Sequence, residues 1–398
     1  MPGSTEKREY LERNIVAVSV AMLLLSLGEN LWRKFLPKYL QALGAPIRAV
    51  GLFGSVEDLL DGIYQYPGGW LGDHLGRRNA LLLFVALALS GYAMYAGATS
   101  WPFAVGALVF VLGWSSMASP TLFAVVGDAL PKERRAIGFT MQAILRRIPI
   151  LIAPILGGLV IARAGLVQGM HALFVVTIAL AVLTLAVVSR VALPKLAGPT
   201  TNIRGVWQSF PSALRSLLLS DIFIRTCEGL VDEFAVIFAM NIIHLSAPQY
   251  GVLIAIQTIT SIIVYVPAAT IADRIGPKPF VIATFLFFSA FPLSVALSHS
   301  FLAACGAFVI GGLREIGEPS RKALIVDLAQ PSLRARTVGL YYLVRSVAIA
   351  PAAFIGGLLW EQMPMLPFVV ACCVGLVGTA VFALSASSPE RPAQSPSS

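Results

Sequence analysis

Long apolar runs constrain this chain before any motif is read. Segments at about 15–36, 49–70, 79–99, 102–127, 138–162, 169–191, 217–243, 250–272, 279–298, 301–328, 338–359 and 364–386 are apolar for most of their length. Each is near or above the roughly 20 residues that cross a bilayer's hydrocarbon core. No water is available there, so every backbone N–H and C=O must be satisfied within the segment. Runs of this length are therefore helices; strands would be half as long and would alternate. Only 12% of the residues are charged, against about 25% in a soluble domain. The prediction is an all-α polytopic membrane protein with twelve transmembrane helices, numbered here as spans 1 to 12.

The formal charge of +9 fits nucleic acid, anionic lipid or membrane orientation, and its distribution decides among them. Lys7, Arg8 and Arg13 precede span 1. Arg77 and Arg78 follow span 2, and Lys132, Arg134 and Arg135 follow span 4. Arg190, Lys195, Arg204 and Arg215 lie between spans 6 and 7. Arg274 and Lys278 follow span 8, and Arg334 and Arg336 follow span 10. The opposite loops carry few basic residues. Such a bias sets both termini in the cytoplasm, and nucleic-acid binding drops out. The polar start MPGSTEKREYLERN does not read as a cleaved signal peptide, so its retention is expected. The plasma membrane, a bacterial inner membrane, is the expected location.

The chain also repeats itself. Asp73 and Asp273, Gly76 and Gly276, and Gly51 and Gly251 stand 200 positions apart. Glu29 and Glu228, Asp128 and Asp327, Pro120 and Pro319, and the pairs Gly157/Gly158 and Gly356/Gly357 stand 199 apart. The expected organisation is a segment 1–14, a six-helix bundle 15–191, a linker 192–216, a second bundle 217–386 and a tail 387–398. Within the linker, RGVWQSFPSALRSLL reads as a short amphipathic stretch on the membrane surface. Parallel halves of this kind hold a substrate between them near the bilayer midplane.

Residues 68–78, GGWLGDHLGRR, break the apolar pattern with Gly69, Asp73, His74, Gly76, Arg77 and Arg78. A weaker copy follows span 8 as Asp273, Arg274, Gly276 and Lys278, with Ala269 at the first glycine position. This loop signature, with twelve spans in two halves, resembles the major facilitator superfamily; His74 stands where that family usually has a basic residue. The resemblance implies secondary transport by alternating access. It also implies that the cluster of Gly69, Asp73, Gly76, Arg77, Arg78, Asp273, Arg274 and Gly276 latches the cytoplasmic helix ends in one state. A latch broken in every cycle can be worth only a few kcal/mol.

Charges inside the spans carry the functional reading. A charge at a helix centre costs about 2.5–3.5 kcal/mol on insertion scales, so these side chains must line a wet cavity or pair with one another. Glu57, Asp61 and Gln65 form one stripe at helical spacing, and Asp221, Arg225, Glu228 and Asp232 form another of alternating sign. Asp221 with Arg225, and Arg321 or Lys322 with Asp327, read as structural pairs. The candidates for the cavity and for proton coupling are Glu29, Arg33, Glu57, Asp58, Asp61, Arg146, Glu228, Asp232, Glu315, Glu318 and Arg345. A carboxylate held out of water with few partners takes up a proton readily. PILGG (154–158) partly matches the signature that the resemblance links to antiporters.

The four histidines do not cluster, and the four cysteines show no metal-ligand spacing. No transition-metal site is expected, nor any cofactor. There is no phosphate-cradling loop for ATP drive and no nucleophile–base pairing, so an enzyme is not expected. The favoured reading is a monomeric proton-coupled antiporter exporting a small organic, cationic or amphipathic compound. A proton symporter importing a polar, anionic or zwitterionic solute is the alternative that the arginines favour. A non-transporting receptor or scaffold on the same fold is the second class.

Overall fold

In the computed structural model, the described residues are 4–119, 121–122, 135–191, 207–208, 210–329 and 334–384. Among them every regular element is helical. Within described helices the side chains of residues 4–15, Tyr66, Asp73, residues 135–146, Val266, Ala269, Asp273 and residues 334–336 lie outside the description. So do 192–206 of the linker and the tail 387–398.

Spans 2, 3, 5 and 6 are the helices Ile47–Leu75, Arg77–Ala96, Arg135–Ala164 and Leu166–Ser189. Spans 8, 9 and 12 are Ala247–Ile275, Lys278–Ala296 and Leu366–Leu384. The other five are interrupted or irregular. Span 1 runs Ser4–Trp32, tightens to a 3₁₀ turn at Arg33–Phe35 and resumes as Leu36–Ala42. Span 4, Trp101–Leu112, widens to a π turn at Gly113–Met117. Span 7 is Ser212–Gly229, then Asp232–Ile237 and a π turn Phe238–Ile242. Span 10 divides into Phe301–Leu313 and Glu318–Asp327. Span 11 divides into Arg334–Ile349 and Pro351–Gln362.

Among the described residues, eight helices are apolar and long enough to cross a bilayer on composition alone: spans 1, 3, 5, 6, 8, 9, 11 and 12. Span 4 is apolar over a shorter length. Spans 2, 7 and 10 fall outside because they carry the acidic and basic residues.

The first helix starts at Ser4, and its apolar span at Val16, near the expected boundary. One sequence expectation is corrected here. The linker stretch expected to lie on the membrane surface is, from Ser212 onward, the first turns of span 7, with Leu214, Leu217 and Leu218 buried in the core of the second half.

Each half is held by aromatic packing. Trp32 is fully buried and meets Tyr92, Tyr95 and Phe174 edge-on, with ring centroids 6.2, 5.4 and 5.3 Å away. Its indole N–H donates to Thr177 Oγ1 at 3.1 Å, and that hydroxyl donates to the Gly28 carbonyl at 2.9 Å. Spans 1, 3 and 6 are thereby locked together. Trp360, Phe238 and Phe368 do the same for spans 7, 11 and 12.

The halves meet through backbone. A Cβ on Gly51 would lie 2.4 Å from the Ala353 carbonyl oxygen, and one on Gly251 would lie 2.5 Å from that of Pro154. Span 2 therefore crosses span 11 as span 8 crosses span 5, at glycines 200 positions apart. Small residues permit this approach. The same crossing explains PILGG: a Cβ on Gly158 would stand 2.6 Å from the Ala247 carbonyl. Its glycine and proline are packing residues at the seam.

Candidate functional site

Span 1 builds one wall of a central cavity from positions three or four residues apart: Met22, Ser26, Glu29, Asn30, Arg33 and Lys34. Span 2 adds Glu57 and Asp58, the π turn of span 4 adds Trp114 and Ser115, and span 7 adds Asp232 and Glu233. The cavity measures about 480 Å³, within the range of small-molecule sites. It lies between the halves, with most of its wall from the first.

Its charges are arranged in pairs and leftovers. Arg33 donates to Glu57 within the first half. Lys34 Nζ reaches across to both carboxylate oxygens of Asp232, at 3.3 and 3.5 Å. Glu29, 6% exposed, accepts a hydrogen bond from Tyr92 Oη at 2.6 Å. Among the described residues, neither Asp58 nor Glu233 has a cation within 4 Å. The cavity thus holds five carboxylates against two cations. Asp61, just outside it, accepts from Ser116 Oγ at 2.6 Å. The π turn is what aims Ser116 at span 2, a use such turns often have at functional sites.

A second crossing lies at span 5. Arg147 donates to Ser261 Oγ at 2.6 Å and to Glu315 at 3.1 Å, and its guanidinium stacks on Tyr265 at 4.9 Å. Ser261 and Glu315 are the repeat equivalents of Asp61 and Ser116, offset by 200 and 199. In the first half the hydroxyl and the carboxylate meet directly, whereas in the second half both accept from Arg147 of the first half. Glu315 therefore belongs to a clasp between halves.

Three further candidates sit elsewhere. Asp221, Arg225, Glu228, Arg314, Glu318, Arg321 and Arg345 form an ionic cluster inside the second half. Arg321 is 1% exposed and bridges Asp221 at 2.7 Å and Glu318 at 2.8 Å. Tyr341 adds a hydrogen bond to Asp221 at 3.1 Å. Glu228, Glu318 and Arg345 are thus tied up in a network that none of the cavity's lining residues joins. The expected pairing of Arg321 with Asp327 is replaced by this one. The alternating stripe on span 7 also ends at Glu228, because the helix breaks at Leu230–Val231 and Asp232 opens the next segment.

The loop signature is described in part. Gly76 and Gly276 have φ of +81° and +95°, the left-handed backbone that a side chain disfavours. Both end their helices and reverse the chain. Arg77 is buried, and Arg78 donates to the Ser189 carbonyl, joining span 3 to span 6. His74 stacks on Trp70 at 4.1 Å. Gly69 is partly buried and Arg274 exposed. The side chains of Asp73, Asp273 and Arg146 lie outside the described residues.

Sequence reasoning missed Lys34, Tyr92, Ser116 and Ser261, and passed over Glu233 and Arg147. The repeat offers a signal for the first. Arg33 and Lys34 stand 199 positions before Asp232 and Glu233, so two cations in one half oppose two acids at the same level of the other.

An all-helical membrane protein of two like halves around a charged central cavity is built as a transporter. The sequence profile of the Major Facilitator Superfamily matches residues 18–231 and again 222–398, and the chain belongs to that family. An uncharacterised transporter of this type from Methanocaldococcus jannaschii is 20% identical over 389 residues, covering 94% of this chain and 95% of its own. Multidrug resistance protein MdtG of Serratia proteamaculans is 24% identical, covering 67% of each chain. Multidrug resistance protein 1 of Bacillus subtilis is 28% identical over 44% of this chain and 46% of its own. Among solved structures, the fold is shared with a POT family transporter in complex with 5-aminolevulinic acid. That likeness has a TM-score of 0.78 at 14% identity, covering 93% of this chain and 95% of the other. The nucleoside transporter NupG gives 0.76 at 11% identity, covering 93% and 98%.

Proposed function

We propose that this transporter is a proton-coupled antiporter that exports small cationic or amphipathic organic compounds. The charge of the cavity carries this reading: five carboxylates face two cations, and Asp58 and Glu233 have no cation partner among the described residues. An organic cation lodged there meets opposite charge in a site partly shielded from water, where Coulomb attraction exceeds its value in bulk. The same carboxylates take up a proton once the cation leaves, and that exchange is antiport. The multidrug resistance proteins among the relatives support the same direction.

Among the described residues, the arginines that favour import of an anionic solute are engaged; the Arg146 side chain lies outside them. Arg33 faces Glu57, Arg147 faces Glu315, and Arg225, Arg314, Arg321 and Arg345 belong to the ionic cluster. Location in a bacterial inner membrane with both termini cytoplasmic rests on the basic loops. Among the described residues, the hydrogen bonds and ion pairs between halves gather at mid-depth and toward the end away from the termini, at Lys34–Asp232, Lys38–Asn241 and Arg48–Glu361. With cytoplasmic termini this supports a shape that loads from inside, and the family resemblance implies that the loop signature with Asp73 closes that side in the opposite state. One chain holds the whole cavity, so a monomer suffices, with protons and a bilayer as its other partners.

Thermal stability of the purified protein with tetraphenylphosphonium tests the substrate class. Ligand at a hundred times its dissociation constant stabilises by about 2.7 kcal/mol. The expected result is stabilisation that grows from acid to neutral pH and is lost in Asp58→Asn/Glu233→Gln. Stabilisation by organic carboxylates in place of the cation would overturn the reading.

A further inference from the structure

We infer that the Lys34 ammonium is a tethered stand-in for the cationic substrate: it holds Asp232 while the cavity is empty, and its displacement by substrate releases the closed end of the molecule. The inference rests on the proposed cationic substrate and adds the residue that couples binding to opening.

Four observations lead there. Lys34 and Asp232 are themselves lining residues of the cavity. Their side chains are 37% and 47% exposed, so a cation in the cavity can reach the carboxylate that Lys34 occupies. The pair joins opposite halves, whereas the neighbouring Arg33 is held by Glu57 within its own half. It also sits where both spans lose regular helix. Lys34 lies in the 3₁₀ turn of span 1, and Asp232 opens the helix that follows the Leu230–Val231 break of span 7.

Beyond the pair, the seam continues toward the closed end. Lys38 Nζ donates to Asn241 and to Gln41, and the Asn241 side chain donates to Gln41 at 3.0 Å. These bonds sit on the short helical pieces that follow the two breaks. A rotation at the breaks that separates Lys34 from Asp232 therefore carries the rest of the seam with it. A partly exposed ion pair is weak, about 0.2–1 kcal/mol, so a bound substrate can displace it. Arg33 could not serve, because its guanidinium is held by Glu57 in the same half and leaves nothing across the seam to release.

The experiment uses the full chain with spin labels at Ala42 and Ile242, two exposed positions at the ends of the seam, and compares wild type, Lys34→Gln and Lys34→Arg. Without ligand, Lys34→Gln is expected to shift the distance distribution toward separation, and Lys34→Arg to keep the wild-type distribution. Tetraphenylphosphonium should shift wild type in the same direction. It should bind Lys34→Gln roughly 1.4- to five-fold more tightly, the ratio that 0.2–1 kcal/mol corresponds to. Equal affinity for wild type and Lys34→Gln overturns the competition, and so does an unchanged distance in Lys34→Gln. Separation in Lys34→Gln with no organic cation binding any variant removes the substrate reading and overturns the stand-in role with it, leaving Lys34–Asp232 as a simple gate.

Discussion

At the scale of single residues, the second half is organised by Arg321. Its guanidinium is the buried link between Asp221 and Glu318, and removing one partner of a buried pair strands the other charges. Arg321→Met should destabilise by about 3–5 kcal/mol, read as loss of the monodisperse peak in detergent. Arg321→Lys should recover little, since an ammonium lacks the planar fork that serves two carboxylates. Tyr92 plays a smaller part for Glu29. Tyr92→Phe leaves a buried carboxylate without its 2.6 Å donor, with an expected loss of about 1–3 kcal/mol and a lower melting temperature. That Glu29, Glu57, Asp58 and Asp232 line a cavity was legible in the sequence, because a charge in an apolar run must face water or a partner. Which partner was not. Arg321 finds Asp221 a hundred residues away rather than the nearby Asp327, and Glu228 and Glu318 turned from cavity candidates into cluster members for the same reason.

At the scale of helices, the interruptions matter most, and three of the four follow from proline. Pro37, Pro319 and Pro351 each stand at the start of a resumed helix. A proline there removes the bond to the residue four before it and crowds that carbonyl, which loosens Arg33, Glu315 and Val347. The sequence contained these prolines, but Pro319 enters the sequence reading only as a mark of repetition. The break at Leu230–Val231 has no proline and left no comparable signal. Pro37→Ala should restore α geometry over Arg33–Phe35 and turn Lys34 away from Asp232. The expected outcome is a wider Ala42–Ile242 distance in a protein that still folds. The glycine crossings predict a paired result. Gly51→Val and Gly251→Val should each push the halves apart at equivalent places, because each places atoms within 2.5 Å of a facing carbonyl. Cysteine cross-linking between Arg48 and Glu361 positions should fall in both.

At the scale of the whole molecule, a duplicated chain has become two halves with unequal tasks. The second half spends its charges on an internal cluster, while the first supplies most of the cavity wall and three of its five acids. Twelve spans, two halves and the loop reversals at Gly76 and Gly276 were legible because bilayer thickness and repeat offset leave few alternatives. The inequality of the halves was not, since it depends on which charges meet across the seam. On the proposed reading, the cavity is exposed to each side in turn, and its acids set what moves and what returns. The measurement that tests this most directly is flux in proteoliposomes of wild-type protein under an imposed pH gradient. Tetraphenylphosphonium should move uphill toward the acidic side, against protons moving down their gradient, and Asp58→Asn/Glu233→Gln should abolish that movement. Cation movement that ignores the pH gradient, or movement together with protons, would contradict the account.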